Sequence, residues 1–150
     1  MRILLINNHS YHTQELAQLL QDHEVILSDY VNANHAGEHY DVVILSGSHR
    51  APFYAENFAK EIAFIMHTDI PVIGICLGCQ LIAHAYGCEI SKEDDKIKGL
   101  QKIKYIPTQS HYTVYEGHSF CINQLSAEII GVAASEFAYE IIRHQHKKQR

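Results

Sequence analysis

Four short apolar runs, Arg2–Asn7, Glu24–Ser28, Asp41–Ser46 and Pro71–Cys76, alternate with stretches of helical spacing. This alternation constrains the fold more than any other feature of the chain. Arg2–Asn7 is a continuous run, as expected for a strand buried on both faces. Ser10 is placed to cap a helix over Tyr11–Asp22, with Leu16, Leu19 and Leu20 spaced to face a sheet. Phe53–His67 has helical spacing through Phe58, Ile62 and Ile65, and Leu77–Tyr86 reads as a helix stopped by Gly87. Strands and helices in this order give parallel β-α units, hence an open, mostly parallel α/β sheet with helices on both faces. From Glu89 onward the pattern changes. Lys102–Ile106, Tyr112–Tyr115, Ile129–Ala134 and Tyr139–Ile142 read as short strands joined by turns, expected to add antiparallel edge strands and return to the sheet. With no internal repeat or Pro/Gly-rich linker, residues 1–150 read as one domain.

Gly74-Ile75-Cys76-Leu77-Gly78 lies where the fourth strand meets a helix. The spacing fits a nucleophile elbow, a sharp turn that holds a nucleophile above the sheet. Glycines on each side let strand and helix approach closely. At the helix N-terminus, the dipole and free N–H groups are expected to favour thiolate over thiol. The backbone N–H of Leu77 is then placed to meet a developing oxyanion. A buried structural cysteine between strand and helix is the plainer reading of the bare pattern.

Charge and composition remove several function classes. Hydrophobic residues make up 47% and charged residues 19%, a globular composition, and the net charge of −5 argues against nucleic-acid binding through bulk positive charge. The one basic cluster, Arg143–Arg150, reads as a solvated tail. No stretch approaches the ~18 apolar residues of a membrane span. The N-terminus is too short in its apolar run for a signal peptide. The four cysteines (Cys76, Cys79, Cys88, Cys121) are therefore expected as reduced thiols in a cytoplasmic protein. Of the twelve histidines only His144 and His146 lie close together, which is weak metal evidence. Neither a metal nor a cofactor is expected.

The residues around the elbow, Gly74-Ile75-Cys76-Leu77-Gly78-Cys79-Gln80-Leu81-Ile82-Ala83, resemble the class I glutamine amidotransferase signature, Gly-x-Cys-x-Gly-x-Gln followed by an apolar helix. Arg2–Leu20 is similar to the opening strand, loop and helix of the amidotransferase parts of anthranilate synthase and GMP synthetase. Val43–His49 looks like the family's oxyanion strand, usually Leu-Ser-Gly-Gly-Pro. Val114–Gln124 and Glu128–Ser135 resemble strands carrying a glutamine-contacting loop, and Arg143-His144 resembles the Arg-His before the last strand. The resemblance implies a flavodoxin-like fold and hydrolysis of glutamine's side-chain amide, with ammonia passed to a partner synthetase. Cys76 would form a glutamyl thioester, with the amides of Leu77 and Ser48 holding the oxyanion. Gly47 and Gln80 would help bind glutamine, and Gly117 and His118 would lie near its α-amino and carboxylate groups. No nucleic-acid or membrane partner is implied.

Two departures qualify this. Ser48 and His49 stand where the family has Gly-Pro. The family's closing His-x-Glu, a general base with its orienting carboxylate, occurs nowhere in the sequence. On that comparison the domain is expected to be incomplete at its C-terminus, with His84, His144 and His146 the histidines to weigh as substitutes and His118 a further candidate base. Two other functions stay open. One is a catalytically degenerate amidotransferase-fold binding or regulatory module. The other is a thiol redox protein built on Cys76-Leu77-Gly78-Cys79. Hydrolase and chaperone relatives of the fold often place a histidine directly after the elbow cysteine, where this chain has Leu77.

Overall fold

A computed structural model describes residues 1–30, 39–49 and 55–145. Its first half is a parallel sheet in the order β2-β1-β3-β4, formed by β1 (Arg2–Asn7), β2 (Glu24–Asp29), β3 (Val42–Leu45) and β4 (Val72–Gly74). Side chains alternate across β1 and β3 with the period of two that a strand imposes. Ile3, Leu5 and Ile44 face α1 (Thr13–Leu19), packing with Leu16, Ala17 and Leu20. Leu4, Ile6, Val43 and Leu45 face the opposite side, where α2 (Ala59–His67) and α3 (Leu77–Ala85) supply Ile65, Leu77 and Leu81. Helices on both faces explain why β1 reads as an unbroken apolar run. Phe58, Ile62 and Ile65 pack as their helical spacing predicts, the first in a 3-10 turn, Ala55–Phe58, that leads into α2. Phe53 and Tyr54, the start of the expected helix, lie outside the described residues.

Two local expectations fail around α1. Ser10 does not cap it: the N-cap is His12, without a side-chain cap bond. The Ser10 hydroxyl instead accepts the His12 N–H at 3.2 Å, while Asn7 Oδ1 takes the Ser10 N–H at 3.0 Å and the Thr13 hydroxyl at 2.9 Å. The loop is thus closed by short-range side-chain bonds that compete with a helical cap. Leu19 does not face the sheet and is 82% exposed. The helix is only seven residues long, and a step of ~100° per residue turns Leu19 outward once Leu16 and Leu20 are seated.

The second half does not return to the first sheet. Among the described residues it builds its own antiparallel sheet, in the order β6-β5-β7-β8. The expected short strands after Glu89 are in fact two long ones, β5 (Glu89–Tyr105) and β6 (Ser110–Gln124), paired as a hairpin, followed by β7 (Ile129–Ala134) and β8 (Tyr139–His144). The register of the hairpin breaks between Lys92 and Ile97, where residues 93–96 bulge opposite Ser119. Its two edge strands, β6 and β8, nevertheless come together, with α3 packed against both. In the parallel sheet, β4 pairs only with β3 among the described residues and leaves Ile73 and Ile75 about half exposed.

Candidate active site

The site begins at the junction of β4 and α3. Cys76 has φ 52° and ψ −106°, a conformation that costs a residue with a Cβ on the order of 1–3 kcal/mol. Its neighbours must be glycine. A Cβ on Gly74 would sit 2.3 Å from the Gly78 carbonyl carbon, and one on Gly78 would sit 2.5 Å from the Leu45 carbonyl oxygen. Gly47, after β3, approaches the Cys76 Cβ so closely that its own Cβ would lie 3.3 Å away. Helix α3 then begins with Gly78 N–H bonded to Ile75 O and Gln80 N–H to Cys76 O. Cys76 is thereby placed at the carboxyl ends of the strands, the ligand-binding edge of open α/β folds, as an exposed residue.

The expectation that the helix N-terminus would make Cys76 a ready thiolate is corrected. Burial of the sulfur among surrounding protein raises its pKa above the usual thiol value. The Leu77 N–H and the Lys96 ammonium act in the opposite sense without overcoming it. Although the residue as a whole is exposed, its sulfur is crowded, and in crowded surroundings desolvation outweighs a short helix's partial charge. Lys96 comes from the bulge of β5, which re-aims part of the charged run Lys92–Lys96 toward the elbow. Replacement by glutamine, Lys96→Gln, should therefore raise the Cys76 pKa further. The pH profile of Cys76 alkylation by iodoacetamide, followed by mass spectrometry, should shift to higher pH.

Across from the elbow, Gln80, Gly117 and His118 line one cavity with Cys76, about 310 Å³ in volume, walled by residues of β6, β8 and α3. Gln80 is buried, and its Nε2 donates to Phe120 O at 3.1 Å. His118 Nδ1 lies 3.1 Å from the same carbonyl, so one β6 oxygen ties the elbow helix to the Gly117-His118 segment. Leu77 is buried beneath the turn, and Ser48 follows Gly47 in a half-buried position outside the cavity lining. The turn after β3 is braced from the β1 loop: His49 N–H donates to His9 O, Tyr11 N–H donates to His49 Nδ1, and the Tyr11 and His49 rings lie 4.5 Å apart.

The other histidines weighed as substitute bases fall elsewhere. His84 is exposed on α3; His144 contacts Glu128 at 3.3 Å and lies with its ring tilted against Tyr86; His146 lies outside the described residues. Among the described residues, His118 is the histidine that shares the cavity with Cys76. The four cysteines are unpaired, and Cys79 is pushed up to about 12 by burial and then by Cys76, so it stays a thiol.

Three acidic residues near these strands were not legible from spacing. Glu116 and Glu140 line the cavity beside His118. Glu61 lies fully buried under the strand ends, where Oε1 accepts from Asn8 Nδ2 at 3.0 Å, and the Asn8 N–H in turn donates to Ser46 Oγ at 2.9 Å. Its one sequence signal is an acidic residue on the apolar stripe of Phe58 and Ile65. Burial raises the Glu61 pKa to about 7, with the Asn8 bond pulling it down. Raised above the unfolded value, this group favours the folded state fully below pH ~4.5. It loses that contribution as pH rises toward 7, by about 3 kcal/mol in all. Glu61→Gln should flatten the fall in stability between pH 5 and 7, measured by urea unfolding at several pH values.

Comparisons with known proteins give the family and the fold. The family model described as Glutamine amidotransferase class-I matches residues 4–150. The chain is 27% identical to one subunit of the glutamine-hydrolysing GMP synthase of Methanococcoides burtonii, covering 98% of this chain and 82% of that protein. It is 27% identical to Gamma-glutamyl-CDP-amidate hydrolase of Campylobacter jejuni over 70% of this chain and 56% of that protein, so it spans little more than half of that relative. In structure it is similar to a candidate GMP synthase subunit from Thermoplasma acidophilum, with a TM-score of 0.83 at 22% identity, covering 97% of this chain and 79% of that one. The chain belongs to the class I glutamine amidotransferase family. Among the described residues no helix is long and apolar enough to cross a membrane.

Proposed function

We propose that this chain hydrolyses the side-chain amide of glutamine through a thioester at Cys76 and supplies the ammonia to a synthetase partner in the cytoplasm. The observation that carries the reading is the elbow: a cysteine at positive φ, on a helix N-terminus, facing a cavity lined by Gln80, Gly117 and His118. The Cys76 sulfur attacks the amide carbon, the C–N bond breaks with a proton delivered to nitrogen, and water then cleaves the thioester to glutamate. The Leu77 and Ser48 amides are assigned to the oxyanion, and Gly47 and Gln80 to glutamine. Gly117 and His118 are assigned to its α-amino and carboxylate groups. A relative named as one subunit of a glutamine-hydrolysing GMP synthase supports a synthetase partner.

Ammonia leaves only once its nitrogen is protonated, and His118, the histidine that shares the cavity with Cys76 among the described residues, is the first candidate donor. The raised pKa of Cys76, which keeps it a thiol, favours a second reading, a binding or regulatory module that keeps the cavity without turnover. Glutamate release from glutamine separates the two. Slow release that disappears in Cys76→Ala supports the amidotransferase reading. Release that persists in Cys76→Ala overturns it, and glutamine binding without release supports the binding module.

A further inference from the structure

We propose that Glu116, His118 and Glu140 form a binding site for a first-row divalent cation of the zinc type, with its open coordination positions toward the cavity beside Cys76. The inference departs from the metal-free expectation of the sequence, rests on geometry, and gives to the metal the His118 side chain that the glutamine reading places near the α-amino and carboxylate groups.

Glu116 and His118 are two apart on β6, so the strand's period of two puts both on one face. Glu140 arrives from β8. One donor atom from each residue lies within 4.8 Å of the other two. The His118 ring is oriented by the Phe120 carbonyl 3.1 Å from Nδ1, with Nε2 facing the carboxylates. Nε2 lies 3.5 Å from Glu116 Oε2 and 3.8 Å from Glu140 Oε2. Glu140 is held by its other oxygen, Oε1, which accepts the Ser135 hydroxyl at 2.6 Å. Both supports are the kind of outer partner that orients metal ligands.

Glu116 is the second, independent observation. It is only 8% exposed, and neither of its carboxylate oxygens has a hydrogen-bond partner, nor does His118 Nε2. A cation between two carboxylates and an imidazole nitrogen would offset their burial in a partly dry site. Three candidates have different sizes. A proton on Nε2 would draw a carboxylate to ~2.8 Å, well short of 3.5 Å. An ammonium nitrogen at hydrogen-bond distance from tetrahedrally placed acceptors would separate them by ~4.7 Å. Zinc with bonds of ~2.0–2.1 Å separates its ligands by ~3.4 Å, nearest the two His118 distances. One imidazole and two carboxylates also suit zinc better than magnesium, which prefers an all-oxygen octahedron. Cys121 Sγ is 3.9 Å from Nδ1, the ring nitrogen turned away from the carboxylates, and stands outside this ligand set.

The test is titration of the chelator-stripped chain with Co²⁺ and with Zn²⁺, by absorption and calorimetry. The expected result is one equivalent bound, a cobalt spectrum of nitrogen and oxygen ligands without a thiolate charge-transfer band, and affinity at least ~100-fold weaker in Glu140→Gln. Ser135→Ala, which removes the hydrogen bond orienting Glu140 along with those that Ser135 Oγ accepts from the Phe137 and Ala138 N–H groups, should weaken binding by ~10-fold, and thermal melts of both variants guard against a folding defect. Affinity unchanged in both variants, no binding at millimolar metal, or a thiolate band abolished by Cys79→Ser or Cys121→Ser would overturn the proposal.

Discussion

Gly74→Ala is expected to destabilise the chain by about 3 kcal/mol or more. The added Cβ would stand 2.3 Å from the Gly78 carbonyl carbon, 2.4 Å from its oxygen and 2.5 Å from the Cys79 nitrogen. All three atoms are backbone of the first turn of α3, so no side chain can rotate out of the way. Relief requires the helix to move off β4, which would undo the contact of Gly78 with Leu45 as well. For a chain of this length the change corresponds to a loss of roughly 10 °C in melting temperature. Two other glycines serve as controls. Gly87 has φ +75° but open space around it, so Gly87→Ala should cost only the ~1 kcal/mol of left-handed strain. Gly117 has neither a positive φ nor a neighbour within 4 Å, and Gly117→Ala should leave stability close to unchanged. Thermal melts of the three variants that rank Gly74 far above Gly87 and Gly117 would support the tight elbow. Equal, small losses would contradict it.

The second large effect concerns chemistry. Cys76→Ala should abolish acylation by any γ-glutamyl donor, because no other described thiol combines exposure with the elbow. Cys79 and Cys121 are pushed up to about 12 and about 11, and Cys88 and Cys121 are buried. Donors should also differ sharply in rate. An amide leaves as ammonia only with a proton supplied, whereas an activated ester such as a γ-glutamyl nitrophenyl ester expels an anion that needs none. Wild type is therefore expected to react with the ester faster than with glutamine. Comparable rates for the two donors would mean that a residue of this chain already protonates the leaving group, with His118 the first to examine.

Much of this arrangement was legible from residue order. The apolar runs located all four parallel strands, and in β1 and β3 burial on both faces leaves an unbroken signal. Gly74, Gly78 and Cys76 announced the elbow, and Cys76, Gln80, Gly117 and His118 do meet in one cavity. The rest depended on geometry that local patterns do not encode. The charged run Lys92–Lys96 interrupts the alternation of β5, so one 17-residue strand reads as fragments; in three dimensions the interruption is a bulge that brings Lys96 to Cys76. Glu140 joins His118 only because β8 and β6, opposite edges of one sheet, come together. The thiol of Cys76 shows the same limit. Helix placement is readable from sequence, but the desolvation that outweighs it is a property of the packed site.

The most direct test of the central claim is the burst of nitrophenolate released when the chain meets an activated γ-glutamyl ester, with the acylated residue identified by mass spectrometry. The account predicts one equivalent per chain, a glutamyl group on Cys76, suppression by glutamine, and no burst in Cys76→Ala. A burst that survives in Cys76→Ala, or labelling spread over the cysteines and indifferent to glutamine, would contradict it.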